Sequence, residues 1–203
     1  MTITSCLLER ASRIASRYHA GQFRKQSKLP YISHLLSVAI ILQRAGFQDE
    51  ETLAAALLHD ILEDTGYTAT QLENEFPPRV AQFVKILSER KYDNRGHNRP
   101  WSERKREHIE RIKNAPLECR AILLADKLHN LQSIQWDLDA GQSVWERFNA
   151  PQVDVVRYHR KIVTAAEANS PELKPLADEC RTFIVRLESE TSTPRTDHQR
   201  PAK

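Results

Sequence analysis

With 203 residues, 40% hydrophobic and 28% charged, the chain is long enough for one domain with a substantial core and too short for two comfortable ones. Its net charge of +3 suits an anionic small molecule and falls short of the basic stripe of a nucleic-acid binder, while no apolar run reaches the ~18 residues of a membrane span. Nucleic acid and membrane are therefore excluded as partners. The cysteines Cys6, Cys119 and Cys180 show no CxxC spacing, and the N-terminus lacks a signal peptide's charged start and unbroken apolar segment, which predicts a reduced, cytoplasmic protein.

Only five glycines stand against many Ala, Leu, Glu, Arg and Lys residues, and nearly every segment has helical periodicity. Thr4 caps a first helix on which Leu7, Leu8, Ala11, Ile14, Ala15 and Tyr18 recur at helical spacing, with Gly21 past its end. Residues 22–30 are polar and non-periodic, a loop. Tyr31 to Ala45 form a second helix closed by Gly46. Asp49 caps a third, read as continuous through ETLAAALLHDILED, with Gly66 ending the turn after it. Thr68 opens a short helix over TATQLENEF, and Pro77-Pro78 break the chain before VAQFVKILSER. Residues 91–100 read as a surface loop or mobile lid. Trp101 to Asn114 is a strongly charged helix, and Pro116 opens a central one over ECRAILLADKLHNLQSI. Two further helices, at 151–168 and 172–190, finish the body. From Thr191 the chain is almost without apolar residues, which predicts a disordered tail over 191–203. With no convincing strand, the fold class is all-α, one domain over 1–190. The sequence carries no signature of an oligomeric state.

Three segments supply candidate metal ligands. His34 lies among the core-like Ile32, Leu35, Leu36 and Val38, the pair His59-Asp60 closes an apolar run, and Asp126 sits between Leu124, Ala125 and Leu128. Four ionisable groups in apolar settings are costly to bury unless something binds them. Two imidazoles and two carboxylates suit a divalent first-row cation with positions left for water and substrate. On a continuous helix Glu63 lies one turn from His59, placed to orient or deprotonate a water, with Asp64 supporting it. Acids at a helix C-terminus oppose its dipole, which favours a functional reason for them. Arg24 and Lys25 fit a nucleotide, a guanidinium for the base and an ammonium for a phosphate. Arg104 and Lys105, on the charged helix, add phosphate-facing charge or belong to a solvated face with i,i+4 pairs. Trp136, Trp145, Phe148 and Tyr158 read as packing residues of the C-terminal helices, and His19 and His129 as residues that orient their helices.

The order His34, His59-Asp60, Asp126 resembles the HD-domain metal-dependent phosphohydrolases. The segments HAGQFRKQSKLPYISH, AALLHDILEDT and LLADKLHNLQSI resemble more closely the hydrolase domain of RelA/SpoT proteins and the stand-alone small alarmone hydrolases, over a motif core at 8–135 followed by C-terminal helices at 136–190. The resemblance implies an HD-domain bundle of roughly eight to ten helices. It also implies hydrolysis of the 3′-pyrophosphate of guanosine tetra- or pentaphosphate with Mn²⁺. His34, His59, Asp60 and Asp126 match the metal ligands, Glu63 and Asp64 the catalytic acids, and Arg24, Lys25 and Asn130 the nucleotide contacts. Ser27, Leu35, the LSERK stretch and Gln132 depart from the family's commoner residues, and none of them is a matched ligand or acid. Because the altered loops border the nucleotide, the adenosine analogue with the same 3′-pyrophosphate, or another 3′-phosphorylated nucleotide, stays open as substrate. A nucleoside-monophosphate nucleotidase and an inactive HD binding partner are the remaining alternatives; the RK loop and the EDT acids argue against the first, and intact Glu63 and Asp64 against the second.

Overall fold

The computed structural model describes residues 7–24 and 28–191, apart from the side chains of residues 190 and 191. The Thr4 cap, Lys25 and residues 192–203 of the expected tail lie outside them. Among the described residues the chain forms ten α-helices, two 3-10 turns and no strand, as expected of an all-α fold. These helices are α1 Leu7–Tyr18, α2 Ile32–Arg44, α3 Glu50–Leu58, α4 Ile61–Asp64, α5 Ala69–Glu75, α6 Pro78–Leu87, α7 Trp101–Lys113, α8 Leu117–Asp139, α9 Gln152–Glu167 and α10 Lys174–Thr191.

Local chemistry sets most of the boundaries. The Asp49 carboxylate accepts from the Thr52 N–H at 3.0 Å and caps α3. Thr68 and Gln71 form a reciprocal capping box at the start of α5. Gly46, at φ +92°, follows α2 in the left-handed conformation open to glycine at little cost. Pro78 is the first residue of α6 rather than a break before it, because a helix's first N–H needs no intrahelical partner.

The acidic segment departs from the continuous third helix. The chain turns at His59 and Asp60, with Asp60 at φ −98° and ψ −2°, before the single turn of α4. His59 Nδ1 donates to the Ala56 carbonyl at 2.8 Å. That oxygen is the acceptor a continuing helix would offer the Asp60 N–H. The carbonyl of Asp60 instead accepts from the N–H groups of both Glu63 and Asp64, at 3.1 and 3.0 Å.

The core is built around α3 and α8. From Thr52 to Leu58 every residue of α3 is buried, and α1, α2, α6 and α8 pack about it. Helix α8 is buried along most of its length and is covered by α2, α9 and α10. Full burial of a Leu or Ile contributes roughly 1.5–3 kcal/mol, so Leu124, Leu128 and Leu131, all inaccessible to solvent, fix the helix that carries Asp126. The segment 91–100 is an ordered hairpin-like turn: Tyr92 bridges Asn98, Arg99 N–H donates to Lys91 O at 2.9 Å, and the Asp93 carboxylate accepts from the N–H groups of Arg95 and His97.

Candidate active site

Three separate elements bring the predicted ligands together. His34 stands on the first turn of α2, His59 and Asp60 form the turn between α3 and α4, and Asp126 lies mid-way along α8. His34 Nε2 is 3.2 Å from Asp126 Oδ1 and 3.8 Å from Asp60 Oδ2, and His59 Nε2 is 3.0 Å from Asp60 Oδ2 and 3.9 Å from Asp126 Oδ1. One ligand atom each of His34, His59 and Asp126 falls within 4.8 Å of the others. Asp60 borders this trio and also accepts from the Tyr31 hydroxyl at 2.5 Å. All four side chains line one chamber of about 270 Å³.

The donor set fits a divalent cation. His59 commits Nδ1 to the Ala56 carbonyl, while its buried Nε2 has no hydrogen-bond partner. His34 likewise commits Nδ1, 2.8 Å from His129 Nδ1, and turns Nε2 toward Asp126. A histidine whose outer nitrogen is tied down presents the other as a lone pair in a fixed direction, the usual arrangement of a metal-binding imidazole. Burial opposes charge on His59, yet the neighbouring Asp60 and Asp126 carboxylates override it and lift its pKa to about 9. Burial likewise works to raise Asp126, but Lys127 and the two imidazoles hold it well below the usual carboxylate range. Without metal His59 therefore carries a proton at neutral pH, which a divalent cation entering the chamber would displace.

Glu63 lines the chamber, and Glu63 and Asp64 both line an adjoining cleft of about 900 Å³ that shares Tyr31, Glu63 and Asn130 with it. Burial, followed by the charge of Asp60, raises the Glu63 pKa to about 7. Its Oε1 accepts from the Glu89 N–H at 2.7 Å, and the Lys91 ammonium lies 3.6 Å from Oε2. Lys91 also donates to the Asp64 carboxylate, so the hairpin is latched onto both acids.

The predicted nucleotide contacts fare unevenly. Arg24 and Asn130 line the cleft together and are bonded to one another, Nη2 to Oδ1, at 2.7 Å. Arg104 and Lys105 also line it and share one counter-charge, Glu89, whose carboxylate is only 6% exposed and accepts from Arg104 Nη1 at 3.1 Å and Lys105 Nζ at 2.5 Å, so one positive charge of the two is left toward the cleft. His108 Nδ1, 3.1 Å from the same carboxylate, completes the cluster. Burial works to raise the Glu89 pKa, and His108 and Lys105 reverse it, holding the acid ionised.

Sequence reasoning left out Tyr31, Glu89, Lys91, Lys127 and the bond from His129 to His34. Tyr31 carried a signal, since it stands three residues before His34 and so on the same side of a helical turn. Lys127 carried another, a charged neighbour of an acid in an apolar run. Glu89 and Lys91 fall in the LSERK stretch that departs from the family's commoner residues, but nothing in the sequence assigned them to the acids, because only the tertiary fold brings the hairpin to α4. Trp136 departs from its reading as a packing residue: it is 58% exposed and lines the cleft. Tyr158 is buried, as expected.

Comparison with known proteins agrees with this geometry. The profile of the HD domain family matches residues 11–152. Guanosine-3′,5′-bis(diphosphate) 3′-pyrophosphohydrolase MESH1 of Danio rerio is 34% identical over 132 residues, 64% of this chain and 70% of the relative. The Drosophila melanogaster protein of the same name is 32% identical over 163 residues, 79% of this chain and 85% of the relative. A solved structure described as a metazoan ortholog of SpoT that hydrolyses ppGpp aligns with a TM-score of 0.72 at 29% identity, covering 90% of this chain and 97% of that one. A crystal structure of lmo0812 from Listeria monocytogenes EGD-e aligns at 0.68 and 34% identity, covering 82% and 99%. By the match to its profile and by these relatives, the chain belongs to the HD domain family and groups there with the alarmone hydrolases of the MESH1 and SpoT type.

Proposed function

We propose that the chain is a metal-dependent hydrolase that removes the 3′-pyrophosphate from guanosine tetra- or pentaphosphate, giving GDP or GTP and pyrophosphate. The observation that carries the reading is the convergence of two imidazole nitrogens and the Asp126 carboxylate on one chamber, with Glu63 and Asp64 at its edge. His34, His59, Asp60 and Asp126 hold Mn²⁺ in this reading. A cation bound there supplies a water whose pKa falls to about 7 and neutralises charge on the phosphoryl oxygens.

The protein's own groups do the rest. Glu63 accepts the proton of the attacking water as the water oxygen bonds to phosphorus and the P–O bond to the 3′-oxygen breaks, the departing oxygen taking up that proton. A pKa of about 7 suits a group that works as base and then acid near neutrality. Lys91 holds Glu63 and Asp64 in register. Tyr31 fixes the Asp60 carboxylate, and His129 fixes the His34 ring. Arg24 holds the nucleotide at the cleft wall, with Lys25 beside it in sequence. Arg104 and Lys105 act through Glu89, which orients Glu63 by its backbone N–H. Among the described residues no helix is long and apolar enough to cross a membrane, and Cys119 and Cys180 are free and buried, which is consistent with a cytoplasmic enzyme.

Incubation of the purified protein with guanosine tetraphosphate and Mn²⁺ is expected to release pyrophosphate, to stop on chelation and to resume when Mn²⁺ is restored. Release of orthophosphate from nucleoside monophosphates, with the tetraphosphate untouched, would instead identify a nucleotidase.

A further inference from the structure

We infer that His19 is a positioning residue for both halves of the site: its ring steadies the tyrosine that holds Asp60, and its Nδ1–H braces the turn that carries Glu63 and Asp64. The inference rests on the function proposed above. It concerns two residues, His19 and Gln22, that line neither the chamber nor the cleft and have no part in the mechanism so far.

His19 is buried and directly follows α1, its N–H still bonded to the Ala15 carbonyl at 2.9 Å. Gly21, at φ +76°, then reverses the chain in the left-handed conformation and brings Gln22 back beside the imidazole. Backbone bonds fix that return: Gln22 N–H donates to the His19 carbonyl at 3.0 Å, and Tyr31 N–H to the Gln22 carbonyl at 2.8 Å. The Gln22 side chain reaches a residue 42 positions along the chain, Nε2 donating to the Asp64 carbonyl at 2.7 Å. A carbonyl oxygen only accepts, so the amide is turned with Oε1 toward His19 Nδ1, 2.7 Å away, and that nitrogen must carry the proton. The strut runs one way, from imidazole to amide to carbonyl.

It ends on the part of the site least able to hold itself. Helix α4 is the single turn Ile61–Asp64, and a helix of that length does not stand alone. Side chains meet its terminal carbonyls: Thr65 Oγ1 donates to Ile61 O at 2.6 Å, Lys91 Nζ to Glu63 O at 3.1 Å and Gln22 Nε2 to Asp64 O. These donors fix the turn, and with it the direction of the Glu63 and Asp64 carboxylates. The His19 ring has a second contact. It stacks on Tyr31, centroids 5.0 Å and planes 19° apart, while the His34 ring meets Tyr31 edge-on at 5.6 Å. The phenol is thus held by two imidazoles, in pairings that contribute beyond the area they bury. The hydroxyl so aimed is the one that donates to Asp60 Oδ2. Groups that orient a metal-binding carboxylate change metal affinity or activity by about 10–100-fold when lost.

Two substitutions separate the two roles. His19→Phe keeps a ring against Tyr31 and removes the N–H; it is expected to lower kcat by about tenfold at saturating Mn²⁺ and to leave the Mn²⁺ Kd of the substrate-free protein unchanged. His19→Asn keeps an N–H donor near Nδ1 and removes the ring. It is expected to weaken Mn²⁺ binding by about tenfold, as Tyr31→Phe does, and to recover kcat once the metal is saturating. Gln22→Leu, at a half-buried position, cuts the same strut without touching the core. It should repeat the His19→Phe result, and the double variant should be no worse than either single one. In metal-free protein the ¹⁵N spectrum of His19, assigned by its absence from His19→Phe, should place the proton on Nδ1. Equal losses of kcat and Mn²⁺ affinity in the Phe and Asn variants, no loss in either, or a neutral ring with its proton on Nε2 would overturn the inference. If the wild type leaves guanosine tetraphosphate untouched while Mn²⁺ affinity falls in His19→Asn alone and Nδ1 carries the proton, the proposed reaction fails and the positioning role stands.

Discussion

Replacing Glu63 by Gln is expected to lower kcat by about 10²–10⁴-fold and, in the metal-free protein, to raise stability above neutral pH. The two effects share one cause. Burial and the Asp60 charge lift the Glu63 pKa from 4.5 to about 7, so the fold favours the protonated acid. The stability this contributes is complete below pH 4.5, the value in an unfolded chain, and is lost as pH rises through about 7. The shift corresponds to roughly 3 kcal/mol. Gln keeps an oxygen for the Glu89 N–H and never ionises, so it removes the penalty together with the base. Thermal denaturation without metal, followed from about pH 4.5 to 8, should show the wild type falling progressively below the variant as pH rises. Parallel curves at all pH values would mean that Glu63 is not held in the environment described.

Asp126→Ala is expected to be far more damaging than Asp60→Ala, although both should abolish metal binding and turnover. The Asp126 carboxylate accepts from Lys127 Nζ at 2.7 Å, and that ammonium is almost completely buried, its side chain 11% exposed. Burial disfavours the charge on Lys127, and Asp126 more than reverses this, holding the lysine above its ordinary range. Removing one partner of a buried pair leaves the other uncompensated, at a cost of about 3–5 kcal/mol. Asp60 accepts from the neutral Tyr31 hydroxyl and faces His59, an imidazole that can release its proton when the carboxylate is removed, so its loss strands no obligate cation such as the Lys127 ammonium. Urea denaturation should therefore separate the two variants by a few kcal/mol. Asp126→Ala/Lys127→Met should recover much of the stability and none of the Mn²⁺ affinity. Equal stability of the two single variants would show that Lys127 does not depend on Asp126.

Much of this arrangement was legible in the chain. Asp49, Thr68 with Gln71, and Gly46 announced helix ends through local chemistry that acts within a few residues. The gathering of the candidate ligands was legible because ionisable residues in apolar runs need a reason to be there, and the same burial brought three distant runs into one core. The turn at His59 was not, since it depends on an imidazole taking the Ala56 carbonyl, which periodicity does not register. The pairing of Arg104 and Lys105 with Glu89 was not legible, because that acid lies some 15 residues away across a turn. Trp136 read as core because helical spacing does not reveal which side of a central helix faces a cleft.

Anomalous diffraction at the manganese edge, on crystals soaked with Mn²⁺, tests the central claim most directly. One peak should lie within coordination distance of His34 Nε2, His59 Nε2 and an Asp126 oxygen, with Asp60 beside it and Glu63 and Asp64 on its open side. A manganese bound elsewhere, or a chamber that stays empty at saturating Mn²⁺ while the enzyme turns over, would contradict it.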